Sequence, residues 1–375
     1  MGLSRRCKGV YGLFLMLFLL FYSPGISASE KGAETSSHNN EMHDKHAEEE
    51  DFNAGEMILE HVKDMHEWHI ATIGDKHITI PLPIILYDRD QGKLHVFMSS
   101  KFHHGHDSYK GFKLTDNENI VPVKPGTMKV DHSRSKPLDF SITKTAAGVF
   151  ITAIFLVLIF LSVAKRYKRN PISAPKGLQS FLEPVILFIR DDVAKPSIGE
   201  KKYERFLPFL LTMFFFILFA NLLGLVPFFP GGANVTGNIT VTMVLAIFTF
   251  LATTFSGNKH YWKHIFNTPG VPWWLKFPIP LMPIVEILGM ITKPFVLMVR
   301  LFANILAGHI IILGFVSLIF IFGIGSAIAG YGVSIFSVAF TIFINFLELL
   351  VAFIQAYVFT LLSALYLGMA TEEAH

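Results

Sequence analysis

Residues 279–369 read IPLMPIVEILGMITKPFVLMVRLFANILAGHIIILGFVSLIFIFGIGSAIAGYGVSIFSVAFTIFINFLELLVAFIQAYVFTLLSALYLGM. The stretch is apolar almost throughout, and its obvious break is the Gly- and Ser-rich run from Phe322 to Gly332. That leaves two apolar helices of roughly 40 residues, each near 60 Å long at about 1.5 Å per residue. The hydrocarbon core of a bilayer is only about 30 Å thick. Two such helices do not fit upright. They must break, emerge from the membrane or tilt steeply, and the lack of charge around the turn argues for tilt.

The composition of the whole chain agrees. Of 375 residues, 51% are hydrophobic and only 16% charged, where soluble domains usually carry about 25% charged residues. This balance excludes a simple globular enzyme and a disordered chain. The net charge of +3 is small, and the basic residues sit in short clusters between apolar runs rather than in a stripe, so nucleic acid is not an expected partner.

Working back toward the N-terminus, Phe206 to Ser256 contains no charged residue and is broken by Pro227, Pro230, Gly231 and Gly232. It reads as a hairpin of two spans, Phe206–Val226 and about Thr236–Phe255, after which the chain returns to the cytoplasm at Lys259, His260, Lys263, His264 and Lys276. The first span runs from about Thr143 to Ala164 and ends in Lys165-Arg166-Tyr167-Lys168-Arg169, a cationic cluster that belongs on the cytoplasmic side. Between these, Gly177 to Lys195 carries Leu178, Phe181, Leu182, Val185, Ile186, Ile189 and Val193 at helical spacing but is too charged to span. It reads as a helix lying on the cytoplasmic membrane surface.

Residues 1–28 read as a secretory signal. Arg5, Arg6 and Lys8 open it, Gly12 to Tyr22 form a short apolar core, and Ala28 supplies the small residue for cleavage. The only cysteine, Cys7, lies within that segment, so the mature chain is expected to carry no disulfide and no Cys-based metal site. Residues 29–139 are then an extracytoplasmic, His-rich domain holding twelve of the 16 histidines. Its polar tail, Glu30 to Asp51, precedes a short helix at Met57–His69. A small β-hairpin follows, from Ile78–Leu86 and Lys93–Met98. His103, His104 and His106, with Asp107, are weak candidates for a divalent metal, and a solvated polar surface is the preferred reading there. The expected fold class is therefore an all-α polytopic membrane protein over residues 140–375. It has about five membrane helices, the last two long and strongly tilted as a hairpin, one cytoplasmic surface helix, and a small β-containing N-terminal domain outside.

The ionisable residues within the membrane carry the functional reading. Between Lys293 and Glu372 the fixed charges reduce to Arg300 and Glu348, with His309 as a third titratable group. An ionised side chain at bilayer depth costs about 2.5–3.5 kcal/mol even on permissive scales, so such residues are functional by default. On a helix, Asn304 and Gly308 lie about 40° and 80° around from Arg300, whereas His309 lies about 180° away. On the next helix Glu348 and Gln355 share a face. Folding the hairpin near residue 329 puts His309 and Glu348 at one depth and Arg300 near the level of Gln355–Val358. An arginine cannot lose its proton at any accessible pH. It is a poor proton carrier and a good barrier, suited to attract a carboxylate presented by a partner. Upstream, Glu286 lies toward the cytoplasm, while Asn221, Asn238, Thr240 and Thr242 lie toward the external end of the apolar hairpin. Together they suggest wet paths that reach opposite sides and end near, but not through, Arg300.

Val299-Arg300-Leu301-Phe302-Ala303-Asn304-Ile305-Leu306-Ala307-Gly308-His309 resembles the signature of subunit a of F-type ATP synthases. Glu348 with Gln355-Ala356-Tyr357-Val358-Phe359, then Tyr366-Leu367 and Ala370-Thr371-Glu372-Glu373, resembles that family's last helix and tail. Asn221-Leu222-Leu223-Gly224-Leu225-Val226-Pro227 and Asn238-Ile239-Thr240 match as well, in the same order. The resemblance spans about Phe140 to His375. It implies a stator subunit without catalytic activity of its own, with no cofactor, packed against a ring of c subunits and the peripheral-stalk b subunit in the cell inner membrane. Arg300 would be the arginine that faces the ring carboxylates, Asn304 and Gln355 its polar neighbours, and Glu286 an acid of the cytoplasmic-side path. His309 and Glu348 occupy positions where some members carry Glu first and His second. The reversal keeps one acid and one imidazole at the same depth. The long exported domain is an addition the family pattern does not explain. The competing reading is a secondary transporter or metal permease whose exported histidines gather substrate, but such folds usually show repeated halves, and no internal repeat is visible here.

Overall fold

The computed structural model describes residues 62–372 except 74, 75, 116, 125, 170–173, 227, 228 and 267–280, with Gly55 and Ile58 upstream. The expected signal segment, the polar tail and the start of the Met57–His69 helix lie outside the described residues. The chain divides into two compact units, one described at Met65–Thr143 with Gly55 and Ile58, and one running from Lys144 onward with 62–64.

The first unit is β-rich. Strands β1 (Glu67–Ile73) and β2 (Lys76–Pro81) pair antiparallel, with Trp68 opposite Ile80. Residues 67–69, expected at the end of a helix, are therefore strand. The reason is visible in Trp68, which is buried and paired across the ladder. The expected strand Ile78–Leu86 is also divided. Pro81 and Pro83 flank Leu82, and a proline cannot donate to a ladder. Leu82 instead donates its N–H to Ser99 Oγ at 3.1 Å, and the chain restarts as β3 (Pro83–Asp88), which pairs with β4 (Lys93–Met98). That hairpin agrees with the sequence reading. Its turn is fixed by Asp88, whose Oδ1 accepts the N–H groups of Asp90 and Gln91.

Alternation along β3 places Ile84 and Leu86 in a small core with Phe102, Phe112, Leu114 and Ile120. Phe112 and Leu114 come from β6 (Phe112–Leu114), which lies between β5 (Ser108–Tyr109) and β7 (Ile120–Pro122), while β8 (Leu138–Asp139) adds to β3. The buried His66 ties three segments together. Its Nδ1 lies 3.2 Å from Glu118 Oε2 and its Nε2 3.4 Å from Asp139 Oδ2. Burial alone would lower the imidazole pKa, but the two carboxylates outweigh it and raise the value to about 9. Burial likewise opposes ionisation of Asp139, yet its bonds to His66 and Ser141 hold it below the usual carboxylate range.

The second unit is helical: α1 (Lys144–Arg169), α2 (Leu178–Phe188), α3 (Lys195–Ile198), α4 (Tyr203–Leu225), α5 (Ile239–Ser256), α6 (Lys259–Phe266), α7 (Leu281–Gly325) and α8 (Ala327–Thr371). Five of these, α1, α4, α5, α7 and α8, are long and apolar enough to cross a membrane, as the sequence predicts. Asp64 Oδ1 accepts the N–H of Thr145 at 2.9 Å, satisfying one free donor of the first turn of α1. Arg166, Lys168 and Arg169 close the same helix at the end where cations are favoured. Gly148 in α1 is required by close approach. A Cβ there would come within 2.7 Å of Val235 and 2.9 Å of Ala233.

The segment expected as one surface helix is two helices joined by a π-helical stretch, Ile189–Ala194. The wider turn rotates the apolar stripe, so Ile189, Val193 and Ala194 are fully buried while Leu178 and Phe181 remain exposed. The core of the unit is α4. Leu210, Met213, Phe214 and Ile217 are fully buried against Leu297 and Leu301 of α7 and Ala356, Phe359, Ala364 and Leu367 of α8. Alanines on that face of α8 let the backbones approach, as expected where hydrocarbon supplies no hydrophobic drive between helices.

The turn of the last hairpin is tighter than Phe322 to Gly332. Only Ser326 separates α7 from α8. Each helix runs 45 residues without interruption, about 67 Å at 1.5 Å per residue, and Pro294 inside α7 does not end it. Breakage is therefore removed as a way to fit these helices to a bilayer.

Candidate functional site

The site lies along the α7/α8 pair. Leu297 and Leu301 are buried in the core, and Arg300 and Asn304, one turn apart on the flank of that face, are exposed. Arg300 makes no hydrogen bond or ion pair with any described residue. Large apolar side chains, Phe295, Val296 and Val299, are exposed around it. The permanent cation therefore stands on an open, otherwise greasy face.

Farther along α7, the titratable pair is enclosed. His309 Nδ1 lies 3.5 Å from Glu348 Oε1, with Glu348 only 8% exposed. The contact is at the outer limit of hydrogen bonding. His309 Nδ1 and Glu348 Oε2 are both buried without a hydrogen-bond partner. Gly308 is the seat of this carboxylate. A Cβ built on it would collide with Glu348 Oε1 and lie 2.9 Å from Cδ. The sequence reading groups Gly308 with Arg300 by helical angle; the structure shows that it also sits beneath the acid of the next helix. Nothing in a single sequence signals that contact, because it depends on the hairpin register.

Gln355 is buried on the same face of α8 as Glu348. Between them, the Ala352 carbonyl accepts a hydrogen bond from Asn221 Nδ2 at 3.2 Å, and Asn221 Oδ1 accepts from the Thr236 hydroxyl. Asn221 thus links α4, the loop before α5 and α8 at the level of the turn following Glu348. Thr236 was not among the sequence candidates. Asn238 and Thr240 sit apart from this group. Asn238 caps α5 by accepting the Thr240 N–H at 2.9 Å, and Thr240 itself is exposed.

At the other end of α7, Glu286 Oε1 lies 4.0 Å from His264 Nδ1 of α6. Nearby, Thr249, Thr254, Tyr261, Lys293 and Tyr366 line a cavity of about 20 Å³, enough for a water. The Thr254 hydroxyl is buried there without a partner. His264 belongs to the basic run that the sequence places after the second hairpin span, but no local signal pairs it with Glu286, and Thr254 carries no signal beyond being polar. Of the weak metal candidates, His103 and His106 are exposed in and just after a 3₁₀ turn, Ser99–Gly105, and the side chain of His104 lies outside the described residues. Among the described residues, no three His, Cys, Asp or Glu side chains gather to hold a metal.

A protein-family model described as ATP synthase A chain matches residues 147–368. The chain belongs to the ATP synthase A chain family. Its relatives include an ATP synthase subunit a 2 of Chlorobaculum tepidum, 48% identical over 268 residues, which cover 70% of this chain and 72% of that protein. An ATP synthase subunit a of Chloroherpeton thalassium is 47% identical over 250 residues, 63% of this chain and 70% of that protein. One from Myxococcus xanthus is 42% identical over 269 residues, 68% and 84%. A second family model, described as a domain of unknown function, matches residues 57–140, so the N-terminal β unit stands outside the ATP synthase A chain match. The transporter reading gains nothing from these relationships.

Proposed function

We propose that this chain is the proton-translocating stator subunit of the membrane sector of an F-type ATP synthase, a non-catalytic part of that complex. In this reading two aqueous half-paths, separated by Arg300, load and unload carboxylates of a rotating c-ring. The supporting observation is the contrast between the two charged centres. His309 and Glu348 meet each other, the acid buried and the imidazole partly so, whereas Arg300 stands on an exposed, largely apolar face with no hydrogen bond or ion pair to any described residue. A guanidinium that never discharges is costly at membrane depth, and an anion brought to it offsets that cost.

A proton arriving from outside reaches the His309/Glu348 couple and is passed to a ring carboxylate, which becomes neutral and turns into lipid. A protonated carboxylate returning from lipid releases its proton toward Glu286 and His264 on the cytoplasmic side. Now anionic, it is held opposite Arg300 until the next step. Asn304 and Gln355 flank that position, and Asn221 braces α8 beside it. Asn238 and Thr240 belong to the outer mouth of the α4/α5 hairpin. Moving one charge through 100 mV contributes about 2.3 kcal/mol, the source of torque.

The cationic end of α1 supports an orientation with that end and the C-terminus in the cytoplasm of a multi-pass inner-membrane protein. Residues 29–139 are then external, released from a cleaved signal at 1–28, and the peripheral-stalk b subunit is a further partner. The test is Arg300→Ala in inverted membrane vesicles. The expected result is loss of ATP-driven proton pumping with the complex still assembled; unchanged pumping would overturn the reading.

A further inference from the structure

Most hydroxyls in the helices of this chain are satisfied by their own helix; besides Thr254 at the small cavity, two on α8 are not. Thr152, Thr212, Thr292, Thr360, Ser363 and Thr371 each donate to the carbonyl four residues back at 2.7 or 2.8 Å. That is the ordinary way to satisfy a hydroxyl where no water is present. Ser337 and Thr341 of α8 do not. Both hydroxyl oxygens are buried and lack any hydrogen-bond partner, and Ser337 as a whole is fully buried.

These two residues are placed with the site, not scattered. Ser337, Thr341 and Glu348 lie on one stripe of α8 within about 40° of each other, because their separations of four and seven residues are near whole turns. Among the described residues of this hairpin, Glu348 Oε2 and His309 Nδ1 are the other unpartnered buried polar atoms. Four such atoms, three on one stripe and the fourth from the facing helix, form a single polar seam. It starts about 16 Å along α8 from the turn at Ser326 and reaches Glu348 after about 16 Å more. Unpaired polar atoms that cluster in an apolar interior mark positions for ordered water. Ser337 to Thr341 is a step of about 6 Å, and Thr341 to Glu348 one of about 10 Å, distances bridged by one water and by two or three.

We infer that Ser337 and Thr341 hold a file of waters between α7 and α8 that carries protons from the level of Ser337 to the His309/Glu348 couple. The inference rests on the stator reading and adds to it the outer leg of the inlet. Each hydroxyl both accepts from one water and donates to the next, so a proton passes along the file by exchange of covalent and hydrogen bonds without charge remaining on either side chain.

The experiment uses the assembled complex in a Cys7→Ser background, with Ser337→Cys, Thr341→Cys and, as a lipid-facing control, Ile342→Cys. Ile342 is 54% exposed on the apolar outside of α8. Aqueous silver ion is the probe, and ATP-driven proton pumping is the readout. The file predicts that silver inhibits the 337 and 341 variants and leaves the 342 variant and the background untouched. A second measurement replaces both hydroxyls by valine. Pumping should fall about tenfold, the effect of one net hydrogen bond lost to the waters, and return when Thr341→Ser and Ser337→Thr are used instead. Silver-insensitive 337 and 341 variants in an enzyme that Arg300→Ala still inactivates would overturn the water file alone. Full pumping by Arg300→Ala would overturn the stator reading beneath it.

Discussion

Gly308→Ala separates the role of the helix from the role of the site. In a helix interior alanine is favoured over glycine by about 1 kcal/mol, so on propensity the substitution stabilises α7. The structure predicts the opposite sign for function. The added methyl would collide with Glu348 Oε1 and come within 2.9 Å of Cδ and 3.0 Å of Cγ. The carboxyl group cannot yield freely, since Glu348 is buried and Ala352 one turn on is held to Asn221. Overpacking of this kind costs about 1–3 kcal/mol, and if the Glu348 carboxyl must regain its place for each proton transferred, that is about 5- to 150-fold in rate. The assay is ATP-driven proton pumping by inverted vesicles, normalised to complex recovered intact with its other subunits. Glu348→Asp in the Gly308→Ala background shortens the acid by one methylene and should recover part of the loss. Wild-type pumping by Gly308→Ala would refute the reasoning. So would a double variant no better than the single one.

Two further outcomes follow from the same geometry and from the N-terminal unit. Exchanging His309 and Glu348 keeps one imidazole and one carboxylate in contact, so the exchanged chain should pump faster than Glu348→Gln; equal impairment would show that the two do not act as a pair. In the β unit, His66 has a folded pKa of about 9 against an ordinary value of 6.5. The stabilisation it supplies is complete below about pH 6.5 and is lost as pH rises toward 9. It amounts to about 2–3 kcal/mol after allowing for the partial exposure of both carboxylates. Hydrogen exchange on the full chain, corrected for intrinsic rates, should show protection across residues 66–139 weakening over that window, and His66→Gln should remove the pH dependence.

Much of this architecture was legible in the chain because hydrocarbon imposes simple rules. The uncharged run Phe206 to Ser256, the cationic end of the first span and the two long apolar helices each follow from length and charge alone, and the observed helices begin and end within a few residues of those limits. Periodicity also placed His309 opposite Arg300 and level with Glu348. What it did not contain were contacts set by the exact register of the hairpin, such as Gly308 beneath Glu348, or by residues from other helices, such as Thr236 on Asn221 and His264 beside Glu286. The β unit was harder to read. Two prolines around one leucine turned an apparent long strand into two, and the β1 strand at Glu67–Ile73 shows no clean alternation of apolar and polar residues to announce it.

The separation of the two charged centres along α7 has a physical consequence of its own. His309 follows Arg300 by nine residues, about 13 Å along the axis and on the opposite side of the helix. Coulomb attraction falls as the inverse of distance in a given medium. A carboxylate brought to about 4 Å therefore feels the guanidinium about three times as strongly as one held about 13 Å away. Glu348, committed to His309 and seated on Gly308, is thus kept from neutralising Arg300 within the same chain. Were the acid one turn from the arginine, the two would close into an internal ion pair and the exposed face would lose its charge. The nine-residue offset leaves the cation free for an anion from outside the chain. In the proposed mechanism it also keeps the His309/Glu348 couple apart from that anion.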